Sequence, residues 1–174
     1  MPNWCMQEVY IHGESKLVAH LYWELRDRQR FCDVVLPIPL KVIGQPFDGK
    51  GTSPEYNWRC DNWNTKWEVT NIQITEEIVH GDDHYPMPTS YFKFNCWTAW
   101  DAPIPVWEKL HELGIEVQAE YEIEGMDVVG EFTLGEHHCR TLTDEEIKER
   151  EARWEEEQEM GLEHWISKVE QEDA

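Results

Sequence analysis

The chain predicts an α+β domain built on an antiparallel sheet. Three observations point there. Stretches of strict apolar/polar alternation recur along the sequence. Two segments with helical spacing of apolar residues separate them. Turn residues, chiefly Gly and Pro, fall at the joints between segments.

Taken in order, Met6–Ile11 alternates and reads as a first strand, punctuated by His12-Gly13. Glu14–Arg30 carries Val18, Leu21 and Leu25 at helical spacing, with Leu17 and Tyr22 beside them. Its basic end (Arg26, Arg28, Arg30) suits the negative pole of a helix. Residues 31–65 read as an irregular insert pinned by its own aromatics, because Pro37, Pro39, Pro46 and Pro54 exclude long helices. Lys66–Ile74 alternates in two phases, Trp67 and Val69 against Ile72 and Ile74, which predicts a strand with a bulge near Asn71. His80–Pro88 reads as a loop, and Ser90–Trp97 as a strand with Phe92, Phe94 and Cys96 on one face. Pro103 and Pro105 open a helix that runs to Leu113 and is closed by Gly114.

The clearest pattern is Ile115–Ile123. Ile115, Val117, Ala119, Tyr121 and Ile123 face one way, and Glu116, Gln118, Glu120, Glu122 and Glu124 the other. Glu124-Gly125 turns it into Met126–Leu134, with Val128, Phe132 and Leu134 in phase, so the pair reads as a hairpin. Gly135–Leu142 reads as a link to a C-terminal helical segment that opens with a capping box, Thr143 to Glu146. Gly161 interrupts that segment before a short apolar face of Leu162, Trp165, Ile166 and Val169. The resulting order, β-α-(insert)-β-β-α-β-β-α, contains the β-α-β-β-α-β plan of ferredoxin-like (split-βαβ) domains. The expected division is a ferredoxin-like domain over 1–135 and an acidic helical extension over 136–174.

Composition bounds the function. The 174 residues include ten Trp and six Tyr, enough large side chains to build a packed core. The net charge of −21 disfavours direct binding to nucleic acid or an anionic membrane and favours a basic partner. Thirteen acidic and four basic side chains, −9 of that total, fall in 143–174. Five cysteines without a CxxC pair, no apparent signal peptide and no long apolar run predict a cytosolic protein with reduced thiols. No GxSxG, P-loop, GxGxxG or HExxH string occurs, and no cofactor is expected.

Several stretches occur in one order that resembles the YubB-like proteins of phages and conjugative plasmids. They are Met1-Pro-Asn-Trp-Cys5, the string Asn62-Trp-Asn-Thr-Lys-Trp67, Thr98-Ala-Trp-Asp-Ala-Pro103, and Tyr121-Glu-Ile-Glu-Gly125 followed by Gly130. The resemblance spans roughly 1–135. Gln7 and Asn64 stand where that family commonly has Asn and Gly. The resemblance implies a ferredoxin-like fold and a mobile-element origin, and it brings no catalytic residues.

The leading candidate site is an acidic face that imitates a row of phosphates: Glu116, Glu120, Glu122, Asp127 and Glu131 on the hairpin, extended by Glu149, Glu155, Glu156 and Glu159 on the C-terminal helix. Carboxylates on one strand face repeat every ~6.6–7 Å. The expected partner is a basic, nucleic-acid-binding host protein, of the kind met in CRISPR effectors or restriction enzymes, inhibited in the host cytosol. A rival is a metal-dependent enzyme using His80, His84, His137, His138 or Cys139, although the spacings match no strong zinc motif. A third reading is a Trp-lined pocket for a small ligand. The cluster Trp58, Trp63, Trp67, Trp97 and Trp100 reads as packing of the insert on the sheet, since its neighbours are too acidic for nucleic acid. Oligomeric state stays open.

Overall fold

The computed structural model describes residues 3–46, 49, 51–81 and 88–153. It forms two compact units, Met1–Arg140 and Thr141–Ala174. The first is an α+β unit around one six-stranded antiparallel sheet. Its elements run β1 (Trp4–Glu14), α1 (Ser15–Arg28), α2 (Cys32–Val35), α3 (Leu40–Ile43), α4 (Pro54–Trp63), β2 (Thr70–His80), β3 (Thr89–Ala99), α5 (Ile104–Glu112), β4 (Glu116–Ile123), β5 (Val128–Thr133) and β6 (Glu136–Thr141). The sheet order is β2-β3-β1-β4-β5-β6. Among the described residues no helix is long and apolar enough to cross a membrane.

The central strand is the first one made. β1 pairs antiparallel with β3 (Val9 opposite Phe94) and with β4 (Val9 opposite Ala119). Alternation puts Cys5, Val9 and Ile11 on one face, where Phe92, Phe94, Val117 and Ala119 join them; all are fully or nearly fully buried. α1 adds Val18, Leu21, Tyr22 and Leu25 to that core, and α5 adds Val106, Trp107 and Leu110. Tyr22 and Phe31 meet Phe92 and Phe94 edge-on at 5.4 Å, a favoured aromatic geometry. Four polar residues are buried among the described residues, Gln7, Thr65, Ser90 and Thr98; Gln7 is 4 % exposed, and its amide donates to the Thr98 hydroxyl and the Cys5 carbonyl.

The insert departs from expectation. Residues 31–65 contain three short helices, not an irregular stretch. Proline starts them instead of preventing them. Pro39 is the N-cap of α3, and Pro54 is the first residue of α4 behind Ser53, whose hydroxyl accepts from Tyr56 N at 3.1 Å. At α2 the cap comes from far along the chain: the Glu68 carboxylate accepts from Cys32 N (2.7 Å) and Asp33 N (3.0 Å). Phe31, Cys32, Val35 and Trp63 carry the insert into the helix-side core. The Trp63 indole donates to the Leu36 carbonyl at 2.8 Å.

Two further expectations need correction. The stretch 135–142 is not a link, because Glu136–Thr141 forms β6, on the edge beyond β5. Leu134 (φ 53°) and Gly135 (φ 81°) both lie in the left-handed region, the backbone of a two-residue hairpin turn. Leu134 is therefore 72 % exposed at a turn and does not share a buried face with Phe132. The bulge near Asn71 is present: its φ is 49°, and the register with β3 shifts between Thr70 and Gln73. β2, however, starts at Thr70 and runs to His80. Of the expected loop, 82–87 lie outside the described residues.

In the second unit, residues 144–153 are helical. The capping box forms as expected: Glu146 N donates to Thr143 Oγ1 at 3.3 Å, and Thr143 N donates to the Glu146 carboxylate at 2.8 Å. Gly161, Leu162, Trp165, Ile166 and Val169 lie outside the described residues.

Candidate acidic face of the sheet

Within the first unit, α1 and α5 pack on one face of the sheet, and the side chains of the other face are exposed or half-buried. Strand register turns that open face into rows that cross the sheet. The middle row runs Gln73, Asn95, Glu8, Glu120, Glu131, one residue from each of β2, β3, β1, β4 and β5. Neighbouring strands are ~4.7–4.9 Å apart, so three carboxylates stand shoulder to shoulder on β1, β4 and β5. No hydrogen bond or ion pair engages the side chains of Glu8, Glu120 or Glu131 among the described residues. Like charges directly opposite one another oppose pairing.

The flanking rows differ in character. On one side lie Thr70, Trp97, Met6, Glu122 and Val129. Trp97 packs on Trp4 at 5.8 Å, and Trp4 on Trp67 at 6.0 Å, so this end is aromatic. On the other side lie Glu76, Lys93, Tyr10 and Gln118, where Lys93 pairs with Glu76 at 3.2 Å. Beyond them Glu116 accepts from Gln118 (2.7 Å) and lies 3.2 Å from His12 Nδ1. The Gln118 hydrogen bond, then that of His12, holds the Glu116 carboxyl below its ordinary range. Two adjoining concavities of about 760 Å3 and 580 Å3 open on this face and share Glu8, Glu120 and Glu131.

The predicted acidic residues divide accordingly. Glu116, Glu120, Glu122 and Glu131 share the open face. Asp127 sits in the β4–β5 turn with φ 52°. Glu149 lies exposed on the helix of the second unit, and Glu155, Glu156 and Glu159 lie outside the described residues. Sequence reasoning missed Glu8 and Asn95. Met6, Glu8 and Tyr10 do alternate outward on β1, but only the register with β4 shows that Glu8 stands beside Glu120.

The metal candidates do not come together. His80 is on β2 and contacts the Ser90 hydroxyl at 2.9 Å. His137, His138 and Cys139 are on β6, the opposite edge of the sheet. His137 Nε2 lies 2.8 Å from the Tyr121 hydroxyl, and His138 approaches Glu136 at 3.7 Å. His84 lies outside the described residues. Among the described residues no three potential donors converge. The buried thiols read as inert: burial pushes Cys5 up to about 12 and raises Cys32 and Cys96 well above the ordinary range.

The tryptophan cluster also splits. Trp63 is buried and Trp58 packs partly on the core, as expected of the insert. Trp97 belongs to the open face, and Trp100 is 44 % exposed with Lys66 Nζ 3.4 Å from its ring centre. The two quoted tryptophan strings meet in space. Thr65 Oγ1 donates to the Ala99 carbonyl (3.0 Å) and accepts from Ala99 N (3.1 Å), and Asn64 donates to the Ala102 carbonyl (3.3 Å).

Set against protein-family models, curated proteins and solved structures, the chain finds no match. Function therefore rests on the site itself.

Proposed function

We propose that this chain is an accessory protein of a phage or other mobile element that binds a basic host protein and occupies the groove where that protein holds nucleic acid. The observation that carries the reading is the cross-strand row Glu8, Glu120 and Glu131, with Glu116 and Glu122 on the same face. A folded sheet that aligns unpaired like charges gives up stability to do so. At ~5 Å in water each adjacent pair opposes the sheet by ~1 kcal/mol. A cationic partner turns that repulsion into attraction, and the strands hold the charges in place beforehand, so little ordering is needed on binding.

Two further points support the reading. The net charge of −21 repels nucleic acid and attracts its binding proteins. The order β1-α1-β2-β3-α5-β4 follows the split-βαβ plan, with β5 and β6 added at one edge. We read it as a ferredoxin-like domain, in line with the likeness to YubB-like proteins of mobile elements. The place of action on this reading is the host cytosol, and the outcome is inhibition of a defence factor of the anti-CRISPR or anti-restriction type.

The test is capture of host proteins on the full chain, with elution by rising salt and by duplex DNA. A nucleic-acid-binding complex that is released by both, and is not captured by the E8Q/E120Q/E131Q variant, is the expected result. A partner that resists high salt, or that binds the variant equally well, overturns the reading.

A further inference from the structure

The two edges of the sheet differ in character. β2 bounds one side with three register shifts against β3 and the charges of Glu76 and Glu77, devices that discourage a further strand. β6 bounds the other with six exposed residues, and its two formal charges, Glu136 and Arg140, cancel within a chain of −21. Among the described residues no strand lies beyond it. His137 and Cys139 are two residues apart on β6 and so share a face. Both are exposed, and both face the hydroxyl of Tyr121. His137 Nε2 lies 2.8 Å from that hydroxyl, with the two rings stacked at 5.9 Å. In the tautomer with the proton on Nε2, the phenol oxygen accepts it and Nδ1 is left as a donor atom for a metal, the outer-partner arrangement usual for ligating histidines. Among the described residues no three donors gather within one copy, so this imidazole and thiol are half of a tetrahedral set.

We propose that β6 pairs with β6 of a second copy of this chain, and that the two strands hold a zinc ion between His137 and Cys139 of each. The register follows from the backbone. The two-residue turn at Leu134-Gly135 sets Thr133 opposite Glu136 as a hydrogen-bonded pair. Glu136, His138 and Arg140 then turn their peptide groups toward β5, and His137 and Cys139 turn theirs outward. An added strand must bond at those two residues. With His138 opposite His138 on the two-fold axis, each His137 stands opposite Cys139 of the other copy. The four side chains lie on one face, ~5.5 Å apart across the strands and ~6.6–7 Å along them. Two imidazoles and two thiolates at that spacing can close on one tetrahedral ion. The same register sets Glu136 of each copy opposite Arg140 of the other, so opposite charges meet at both ends. A shift of two residues either way separates both pairs. Each Cys139 thiol gives its proton to water on ligation, and the two thiolates balance the ion. The joint therefore adds no charge to two acidic chains. Residues 136–140 all belong to the first unit.

The experiment uses the full chain without an affinity tag, kept reduced by a phosphine, stripped with a chelator and titrated with Zn2+ alone. Analytical ultracentrifugation should show a monomer before zinc and a dimer after it, complete at one zinc per two chains. Cobalt(II) in place of zinc should give thiolate-to-cobalt charge-transfer absorption that saturates at the same ratio. Cys139→Ser should stay monomeric with zinc and lack that absorption, and His137→Gln should lose most of the zinc-dependent association. His80→Gln, on the opposite edge, should change neither. Far-UV dichroism reports that each variant is folded. Cys139 is exposed, so its variant leaves the core untouched even where His137→Gln does not fold. A dimer that forms equally in chelator, zinc bound at one per chain without association, or a zinc-dependent dimer that survives Cys139→Ser overturns the inference. None of these outcomes bears on capture of a basic host protein, so this inference and the proposed function stand or fall separately.

Discussion

The two faces of the sheet are made by the same strands and obey opposite rules. On the covered face, neighbours across the ladder agree: Val9 lies between Phe94 and Ala119, all apolar and buried. On the open face, one residue further along the same strands, neighbours conflict: Glu8 lies beside Glu120, and Glu120 beside Glu131. The covered face stabilises the fold, and the open face spends part of that stability on a charged surface. A protein can hold such a row only where the opposite face is strongly packed.

Substitutions on the two faces should therefore differ in size and, within the charged row, in sign. Phe94→Ala empties a fully buried position between Phe31 and Phe92 and should cost about 3–5 kcal/mol in urea unfolding. Trp97→Ala, on the other face of the same strand, should cost about 1 kcal/mol or less. Equal losses would mean that the open face is packed as well. Gly130→Ala should come next. A Cβ there would overlap the Tyr121 ring, which lies over this glycine to reach His137. The expected loss is about 1–3 kcal/mol, largely relieved by Tyr121→Ala in the same chain. Additive losses in the double variant would refute the close approach.

One smaller effect has the opposite sign. Glu120→Gln removes the middle charge of the row and should raise stability by up to ~1 kcal/mol at low salt, an increment that fades toward 1 M salt as screening sets in. A loss of stability on this change would break the contrast between the faces. The smallest effect concerns Glu116, whose folded carboxyl is held below the ordinary value of 4.5 by Gln118 and His12. Its contribution is present above the unfolded value and is lost as pH falls through the lower folded one. The stability difference between parent and Glu116→Gln should then shrink below about pH 4, measured by denaturant titration; a difference that stays constant there would refute it.

Much of the covered face is legible in the sequence, because alternation is a local signal. Phe92, Phe94 and Cys96 on β3, and Val117, Ala119 and Tyr121 on β4, need only a period of two. The bulge at Asn71 shows as a phase change, and the Thr143 cap as a four-residue string. The open face is harder, since its rows depend on register between strands far apart in sequence. β4 alone shows its glutamates, and nothing near Glu8 reveals what lies beside it. Two other features hide for local reasons. Leu134-Gly135 lacks the Asn-Gly or Asp-Gly signature of its turn, which conceals β6. Ser53-Pro54 marks the start of α4, but crowding by other prolines masks it.

The central place of β1 also governs how the chain is born. Val9 waits for Phe94 and Ala119, so its nearer partner emerges 85 residues later. At ~5–20 residues per second that is roughly 4–17 s of synthesis. Throughout that interval Cys5, Val9 and Ile11 can shelter against α1 and the insert residues Phe31, Cys32, Val35 and Trp63, but β1 has neither of its partner strands. Pairing of β1 is therefore a late event in translation, open first to β3 and then to β4, with β5 and its buried Phe132 following.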